Sequence, residues 1–258
     1  MTLPPEKRRF FRKLYGEGLS MRAIARREEV AVATIKKYLL LSGVEVRERN
    51  IVRHLVCDDE RLIGTYCGLW AGDGSQYYDK GYRVKFCLHS GNKELIKFVQ
   101  LVLRKLFGKE SRFTHDHGKY SGFVIFSSRF IFEFVKEYLT YKRYKTKTVR
   151  LKRDVNRYSF AFLEGFFLGL MLSDGHLRHK VQYNSISAGL IANVIEVLWL
   201  FGITGPLSIS DRSKYGWNDL FCLSLGKKQT LEAEMLLDET LRKIGYGKPF
   251  RELKGVFR

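Results

Sequence analysis

Residues 64–75 read GTYCGLWAGDGS, and residues 164–177 read EGFFLGLMLSDGHL. Each segment is apolar and ends in one aspartate followed by glycine, with Asp73 in the first and Asp174 in the second. This pattern predicts a helix that stops at the aspartate, with the next glycine as a left-handed cap. A helix C-terminus carries about half a negative charge, so it repels a carboxylate. Both aspartates are therefore poorly placed for helix stability, which indicates another role.

Small residues recur at every fourth position in both segments. They are Gly64, Gly68 and Gly72 in the first segment, and Gly165, Gly169 and Ser173 in the second. Four-residue spacing places each set on one face of a helix. A glycine inside a helix costs about 1 kcal/mol relative to alanine, so three in register need a reason. One such reason is the close approach of two helix backbones. We therefore expect the two segments to pack together and to bring Asp73 and Asp174 close to each other.

The composition indicates a polyanionic partner. The 258 residues include 46 Lys and Arg against 27 Asp and Glu, which leaves a net charge of +19. Nucleic acid is favoured over a membrane, because the apolar run FFLGLMLS (166–173) is far shorter than the roughly 18 residues that span a bilayer.

The sequence shows no run of signal-peptide type, and its four cysteines without a CxxC pair predict buried, reduced thiols. The expected location is the cytoplasm, at the nucleoid, of a prokaryote, with an organelle as the alternative.

The order of sequence patterns after residue 57 occurs twice. In each copy an apolar helix is followed by a hairpin, a helix, a second hairpin and a third helix. Two αββαββα copies predict an α+β fold with a pseudo-twofold axis. We divide the chain into a helical DNA-binding domain (1–50), a linker (51–57), a first repeat (58–155) and a second repeat (156–258).

The first fifty residues predict two short helices around a tight turn, with Ser20 as the cap of the first. In the second helix, Ile35, Leu39 and Leu40 are expected to point inward. The outward residues near its start are Thr34, Lys36 and Lys37. The pattern resembles the helix-turn-helix of resolvases, whose second helix enters the major groove of DNA. The alternative is a small helical cap on the larger domain, with the lysines on a solvated face.

The hairpins alternate in polarity. In YRVKFCL (82–88), apolar residues share one face, and Arg83 and Lys85 share the other, as in a half-buried antiparallel strand. A basic sheet face fits along a DNA groove, whereas the alternative is an ordinary solvated face. Basic residues of the hairpins are the predicted DNA contacts: Arg83, Lys85, Arg112, Lys119, Arg178, Lys180, Arg212 and Lys214.

The paired aspartates predict a metal site. Asp73 and Asp174 would share a space with two negative helix ends, where the carbonyl oxygens of Gly72 and Ser173 are expected to be free. Hard oxygen ligands in small number suit Mg²⁺, which completes its shell with water and phosphate oxygens. On a basic, groove-shaped surface, such a site predicts two-metal cleavage of phosphodiester bonds.

YCGLWAGDG (66–74) and FLGLMLSDG (167–175) resemble the two signature motifs of the LAGLIDADG homing endonucleases in their single-chain form. The resemblance implies two four-stranded, saddle-shaped antiparallel sheets seated on a long, asymmetric duplex DNA site. It also implies that the last aspartate of each motif binds Mg²⁺, for which Mn²⁺ can substitute, and that a monomer cuts both strands. Ala71 and Leu172 depart from the motifs at a position that varies in the family.

The resemblance also implies a basic residue beside each metal, in the loop after the last helix of each repeat. The matching positions are Lys145 in the first repeat, with Lys147 as the competitor, and Lys248 in the second. Their role would be to stabilise the reacting phosphate or to polarise the attacking water. The alternative for each is an ordinary solvated or phosphate-contacting lysine.

The leading interpretation is therefore a metal-dependent, site-specific double-strand DNA endonuclease of a mobile intron or intein-like element. Two alternatives stay open. One is a nuclease-inactive DNA-binding transcription regulator, and the other is an RNA maturase that helps a host intron to fold. Two retained aspartates favour the enzyme, because a DNA-binding protein has no need of paired carboxylates facing phosphate.

Overall fold

The computed structural model describes residues 4–17, 19–44, 52–78, 81–116, 120–177 and 179–255. Two of the predicted DNA contacts, Lys119 and Arg178, lie outside the described residues. The chain divides into two compact units, residues 1–51 and residues 52–258.

The described residues of the first unit form three helices: α1 (Pro5–Gly16), α2 (Met21–Arg27) and α3 (Val32–Leu41). The Ser20 hydroxyl accepts the Ala23 amide at 3.1 Å and so caps α2, as the sequence predicts. Between α2 and α3, Glu29 adopts a left-handed φ of 52°. The small core of this unit includes Phe11, Ile24 and Ile35.

One inward residue of α3 was predicted wrongly. Leu40 is 54% exposed, and Tyr38 is buried beside Ile35 and Leu39 instead. Residues 35, 38 and 39 have the i, i+3, i+4 spacing of one helix face, whereas residue 40 has turned away from it. Aromatic and aliphatic side chains thus share the inner face of α3.

The second unit contains two copies of the same element order. The first copy comprises α4 (Glu60–Gly72), β1 (Gly74–Tyr78), β2 (Tyr82–His89), α5 (Lys93–Phe107), β3 (Phe113–His115), β4 (Ser121–Ser127) and α6 (Arg129–Tyr138). The connection contains β5 (Leu139–Thr140), α7 (Lys145–Thr148), β6 (Arg150–Leu151) and a 3-10 helix (Val155–Arg157). The second copy comprises α8 (Phe160–Ser173), β7 (Gly175–Leu177), β8 (Val181–Ser185), α9 (Ala188–Leu200), β9 (Leu207–Ser210), β10 (Leu220–Ser224) and α10 (Lys227–Ile244). A 3-10 helix (Ser213–Tyr215) joins β9 to β10, and α11 (Phe250–Leu253) follows α10.

Each copy forms one four-stranded antiparallel sheet. The strand order is β1-β2-β4-β3 in the first copy and β7-β8-β10-β9 in the second. In β2, Val84 and Phe86 lie in the core, whereas Arg83 and Lys85 keep solvent contact on the open face, as the alternation predicts. Cys87 is also exposed, so the expected burial of the cysteines is wrong at this position. The matching element and strand orders confirm the α+β fold with two αββαββα repeats.

The helices α4 and α8 pack against each other at their small residues. A Cβ atom built on Gly68 would lie 2.8 Å from the Leu170 amide nitrogen and closer still to the Phe166 carbonyl oxygen. A Cβ atom on Gly169 would lie 2.6 Å from the Leu69 amide nitrogen. The two backbones are therefore in direct contact, which is the reason predicted for the glycine spacing.

A buried ionic group joins three helices near the N-terminal ends of this pair. The Glu164 carboxylate on α8 accepts from Arg61 Nε of α4 at 2.7 Å and from Lys243 Nζ of α10 at 3.1 Å. These two cationic partners offset the free-energy cost of burying the Glu164 carboxylate. The group lies at the opposite end of α4 from Asp73, so it fixes the helix pair without contributing to the aspartate end.

None of the described helices combines the length and the apolar character that crossing a lipid bilayer requires.

Gly68→Ala is expected to destabilise the protein by about 3 kcal/mol or more, because the new methyl group meets backbone atoms that cannot move independently. Gly81→Ala is the matched control, since a Cβ atom there has nothing within 4 Å. Urea unfolding of both variants measures the difference. An equal effect of the two substitutions would contradict the backbone contact between α4 and α8.

Candidate active site

The C-terminal ends of α4 and α8 lie side by side. Asp73 and Asp174 are the residues at which these helices end, and both keep right-handed backbone angles. A Cβ atom built on Gly72 would lie 2.5 Å from Ser173 Cβ and 3.1 Å from Asp174 Oδ2. The glycine at position 72 therefore leaves room for the Asp174 carboxylate beside the end of α4.

The glycine after each aspartate has a different role from the predicted one. Neither Gly74 nor Gly175 has a positive φ, so the left-handed caps predicted there are wrong. Each glycine begins a strand that folds back over the last helical turn. A Cβ atom on Gly74 would lie 2.5 Å from Trp70 Cα, and one on Gly175 would lie 2.7 Å from Met171 Cα. Close approach of strand to helix, rather than backbone angle, requires glycine at these positions.

The two carboxylates lie close enough for the charge of one to affect the other. Burial, followed by the neighbouring charge of Asp174, raises the pKa of Asp73 to about 7, while Lys254 and Lys145 oppose the rise. Burial also raises the pKa of Asp174, opposed by Lys145, Lys254 and His176, although that side chain keeps more solvent contact. Among the described residues, neither carboxylate accepts a hydrogen bond or forms an ion pair. A half-buried Asp73 carboxylate and a more exposed Asp174 carboxylate, both unpartnered and beside two negative helix ends, make a site that favours a cation.

Lys145, one of the two candidate lysines of the first repeat, reaches the end of α4. Its ammonium group lies 2.5–2.9 Å from the carbonyl oxygens of Trp70, Ala71, Gly72 and Gly74. Burial lowers the pKa of Lys145 to about 8, against the opposing charges of Asp174 and Asp73. The competitor Lys147 is exposed, with its Nζ 5.8 Å from the centre of the Tyr144 ring. Of the two lysines, Lys145 is the one beside the aspartates.

The assignment of Lys248 to the second site is corrected by the structure. Lys248 forms ion pairs with Glu94 at 3.0 Å and with Glu252 at 3.5 Å, away from the aspartates. Lys254 takes the expected place and donates to the carbonyl oxygens of Leu172 at 3.1 Å and Ser173 at 3.3 Å. The short helix α11 carries the chain from Lys248 to Lys254. Pro249, the residue before α11, marks the start of that helix in the sequence but does not indicate which lysine returns to the aspartates.

The carbonyl oxygens expected to be free are engaged. That of Gly72 accepts from Lys145, and that of Ser173 accepts from Lys254. The expectation was wrong because a lysine ammonium group satisfies the orphan carbonyls of a helix end. Each oxygen keeps a second lone pair, so a further ligand role is compatible with these bonds.

The donor set fits a hard divalent cation that shares its coordination with other molecules. It consists of two carboxylates and two backbone carbonyls, all oxygen, which is the preference of Mg²⁺. Within the part of the chain that the structure describes, no three or more His, Cys, Asp and Glu side chains form a metal-binding group. A metal here would therefore complete its shell with water and with oxygens of a substrate.

The predicted DNA contacts that are described lie on the hairpins. Arg83 and Lys85 project from the open face of β2, where Lys85 Nζ lies 4.3 Å from the centre of the Phe123 ring. Arg112 immediately precedes β3, and Lys180 precedes β8; both are exposed. Arg212 and Lys214 flank the tip of the β9–β10 hairpin, each above an exposed aromatic ring, Trp217 and Tyr215 respectively.

The open face of the second sheet contains residues that sequence reasoning missed. His176, His179, Gln182 and Asn184, none of which was predicted, line an open groove of about 610 Å³ together with the predicted Lys180. Alternation along β8 was the available signal, because Val181, Tyr183 and Ser185 are buried between these positions. The neutral amides of Gln182 and Asn184 correspond in register to Lys85 and Cys87 of the first sheet.

In the first unit, Thr34, Lys36 and Lys37 lie in the first two turns of α3. Lys36 and Lys37 are exposed, and Thr34 is half-buried. The helix therefore presents its two lysines to solvent.

Residues 64–139 match the family model of a LAGLIDADG-like domain. This confirms the sequence resemblance over most of the first repeat. No curated protein matches the sequence.

Solved structures resemble more than two thirds of the chain. I-DmoI in complex with DNA and calcium has a TM-score of 0.53 and 14% identity, over 70% of this chain and 91% of that chain. I-DmoI with DNA and manganese has a TM-score of 0.52 and 14% identity, over 70% and 97%. Full-length DUF199/WhiA from Thermatoga maritima has a TM-score of 0.50 and 14% identity, over 73% and 60%. The fold is thus the LAGLIDADG fold of the homing endonuclease I-DmoI.

Asp73→Asn is expected to be more stable than the wild type at pH 8 in EDTA, by about 2 kcal/mol. The folded state holds the Asp73 proton up to a pKa of about 7, whereas the unfolded state releases it near 4. The stabilisation by the protonated form is therefore present below about pH 4 and lost as the pH rises to about 7.

Urea unfolding between pH 4 and pH 8 measures this difference, which should shrink as the pH falls. Asp219→Asn, at an exposed position, is the control and should show no such trend. A stability difference for Asp73→Asn that stays constant with pH would contradict the raised pKa.

Proposed function

We propose that the protein is a metal-dependent endonuclease that cuts both strands of duplex DNA at a specific site. The observation that carries the proposal is the pair of unpartnered carboxylates, Asp73 and Asp174, at two helix ends in direct contact. A protein that only binds DNA would gain nothing from uncompensated negative charge facing phosphate. A nuclease needs this charge to hold cations.

The ligands proposed for Mg²⁺, or for Mn²⁺ in its place, are the carboxylates of Asp73 and Asp174 and the carbonyl oxygens of Gly72 and Ser173. Bound divalent cations supply an activated water and neutralise charge at the leaving oxygen. Lys145 and Lys254 would place positive charge beside the reacting phosphate in each centre. Their bonds to backbone carbonyls hold the two ammonium groups in position before DNA binds.

The comparisons support DNA as the substrate and a divalent cation as the cofactor. I-DmoI, which has the same fold, was solved with DNA and calcium and with DNA and manganese. The net charge of +19 provides the attraction to a polyanion. We assign phosphate and base contacts to Arg83, Lys85, Arg112, Lys180, Arg212 and Lys214. Lys119 and Arg178 belong to the same set by sequence.

Two repeats in one chain supply both halves of the site, so we propose a monomer acting on a long, asymmetric target of a mobile intron or intein-like element. The regulator and the maturase are disfavoured by the carboxylate pair. Neither function uses two unneutralised carboxylates at the centre of a basic surface.

Asp73→Asn and Asp174→Asn are each expected to abolish double-strand cleavage, because an amide lacks the charge that holds the cation. Binding should be unchanged or tighter, since repulsion from phosphate is removed. The target is selected by cleavage of a pool of randomised duplexes in Mg²⁺. Cleavage and binding of that target are then compared for the wild type and both variants.

EDTA controls and the exposed control Asp219→Asn accompany this experiment. Mg²⁺-dependent cuts in the wild type that are absent in both variants would establish the nuclease. Retention of specific duplexes without any cut would favour the regulator, and cutting by either variant at the wild-type rate would refute the metal assignment.

We further propose that residues 1–50 act as a helix-turn-helix domain that lengthens the DNA footprint, with α3 as the reading helix. The support is the exposed pair Lys36 and Lys37 on α3, next to Thr34. Phosphate or base contacts by this helix would add to those of the two sheets.

Replacing both Lys36 and Lys37 by alanine is expected to weaken binding and to reduce the salt dependence of log Kd by about 2, one unit for each lost phosphate contact. The control is the double alanine variant of Lys7 and Lys13, two exposed lysines of α1, which removes the same charge. Filter binding at several salt concentrations measures the dependence of log Kd on salt for each of the two double variants. An equal loss in the two double variants would indicate a solvated face without a specific contact.

A further inference from the structure

The two aspartate-bearing helix ends have different chemical surroundings. Three residues before its aspartate, the first repeat has Trp70 and the second has Met171. Three residues after it, the first repeat has Gln76 and the second has Leu177. The strand glycines pack on Trp70 in one repeat and on Met171 in the other, so these positions match in space as well as in sequence.

Trp70, Gln76 and Tyr141 form a cluster beside Lys145. The rings of Trp70 and Tyr141 have their centres 4.9 Å apart. The Gln76 side-chain amide donates to the Tyr141 hydroxyl. Lys145 Nζ lies 5.0 Å from the centre of the Trp70 ring, on the helix end whose carbonyls it binds.

The lysine of the second site lacks this support. Lys254 Nζ donates to the carbonyl oxygens of Leu172 and Ser173. Among the residues that the structure describes, no aromatic ring lies within cation–π distance of its ammonium group. Lys145 is thus held by more carbonyls and by an aromatic face, whereas Lys254 is held by two carbonyls.

The cluster has an energetic cost that its counterpart avoids. Trp70 Nε1 and Gln76 Oε1 are both buried without a hydrogen-bond partner among the described residues. A buried polar group left unpaired is unfavourable. The second repeat builds the same fold with methionine and leucine at these two places. The fold therefore does not require polar side chains at these two places.

We propose that Trp70, Gln76 and Tyr141 are positioning residues that hold the Lys145 ammonium group at the end of α4, and that they make the two cutting centres unequal. Trp70 supplies a flat face under the cation. The Tyr141 ring supports that face, and Gln76 fixes the Tyr141 hydroxyl. This proposal rests on the endonuclease function proposed above.

Unequal centres have a measurable consequence. When the cluster is lost, the strand whose cleavage depends on Lys145 should be cut more slowly while the other strand is cut at its normal rate. DNA cut in only one strand should then accumulate before the product cut in both strands appears. A residue with a merely structural role would slow both strands together.

The test uses Gln76→Leu and Trp70→Met, which copy the residues of the second repeat into the first. Each strand of the selected target duplex carries its own end label, and both cleavage rates are followed in Mg²⁺. The rate for one strand is expected to fall about fivefold, the scale of a lost cation–π contact, while the other stays within about twofold. Both variants, and Lys145→Met, should slow the same strand.

A second measurement needs neither metal nor DNA. The protein in EDTA is treated with a limiting amount of an acetylating reagent, and modification of each lysine is followed by mass spectrometry. Lys145 should react about fivefold faster in Gln76→Leu and Trp70→Met than in the wild type, because its ammonium group is held less tightly. Lys254 in the same molecules serves as the internal reference and should react at the wild-type rate.

Val84→Ala is the matched control. Val84 is fully buried and lies opposite Gln76 in the β1–β2 register, so this change removes packing without touching Lys145. It should leave the ratio of the two strand rates and the labelling of Lys145 unchanged. Tyr141→Phe keeps the ring and removes the hydroxyl, and it should give a smaller effect on the same strand.

The positioning role is overturned if Gln76→Leu and Trp70→Met slow both strands equally or neither, or if Lys145 labelling stays at the wild-type rate. Failure of the endonuclease function looks different. In that case the wild type cuts no duplex in any pool, while the labelling experiment still decides whether the cluster holds Lys145.

Discussion

The rest of the structure depends on direct contact between the backbones of α4 and α8. Residues with side chains larger than glycine at positions 64, 68, 165 and 169 would meet carbonyl oxygens or amide nitrogens of the facing helix. The contact sets the distance between two helix ends and therefore between Asp73 and Asp174. Both sheets extend from those ends, because β1 and β7 begin at the next residue. One interhelical distance thus determines the spacing of the carboxylates and the placement of the sheets.

The same contact creates an electrostatic problem that the chain solves only in part. Two helix C-termini and two carboxylates concentrate negative charge in a half-buried space. Lys145 and Lys254 bind the carbonyl oxygens of the helix ends, yet neither forms an ion pair with a carboxylate in the described part of the chain. The lysines therefore neutralise the helix ends and leave the aspartates available. This division of roles explains how two ammonium groups can share one site with a carboxylate pair that is proposed to bind a cation.

The fold and the aspartate pair could be predicted from sequence because both depend on periodic, local signals. The four-residue spacing of the glycines predicted the contact between α4 and α8, and the alternation of polarity predicted the strand β2. The second lysine could not be placed in the same way. Lys248 and Lys254 both follow the last long helix, and only the three-dimensional course of α11 decides which one returns to the aspartates. The conformations of Gly74 and Gly175 were missed for a related reason: a glycine required by a close neighbour has the same sequence signature as one required by a positive φ.

The two repeats have kept a common backbone while their polar groups have diverged. The first sheet presents Lys85 beside an aromatic ring, whereas the second presents the amide of Gln182 at the matching register position and that of Asn184 two residues further on. Arg83 and its counterpart Lys180 are both basic. Cationic side chains favour phosphate and guanine, and amides favour adenine edges. The same divergence separates the surroundings of Lys145 and Lys254. A stable fold alone would not require the two repeats to differ in both their open sheet faces and their lysine sites. The proposed endonuclease would meet a different strand and a different sequence on each side of an asymmetric target.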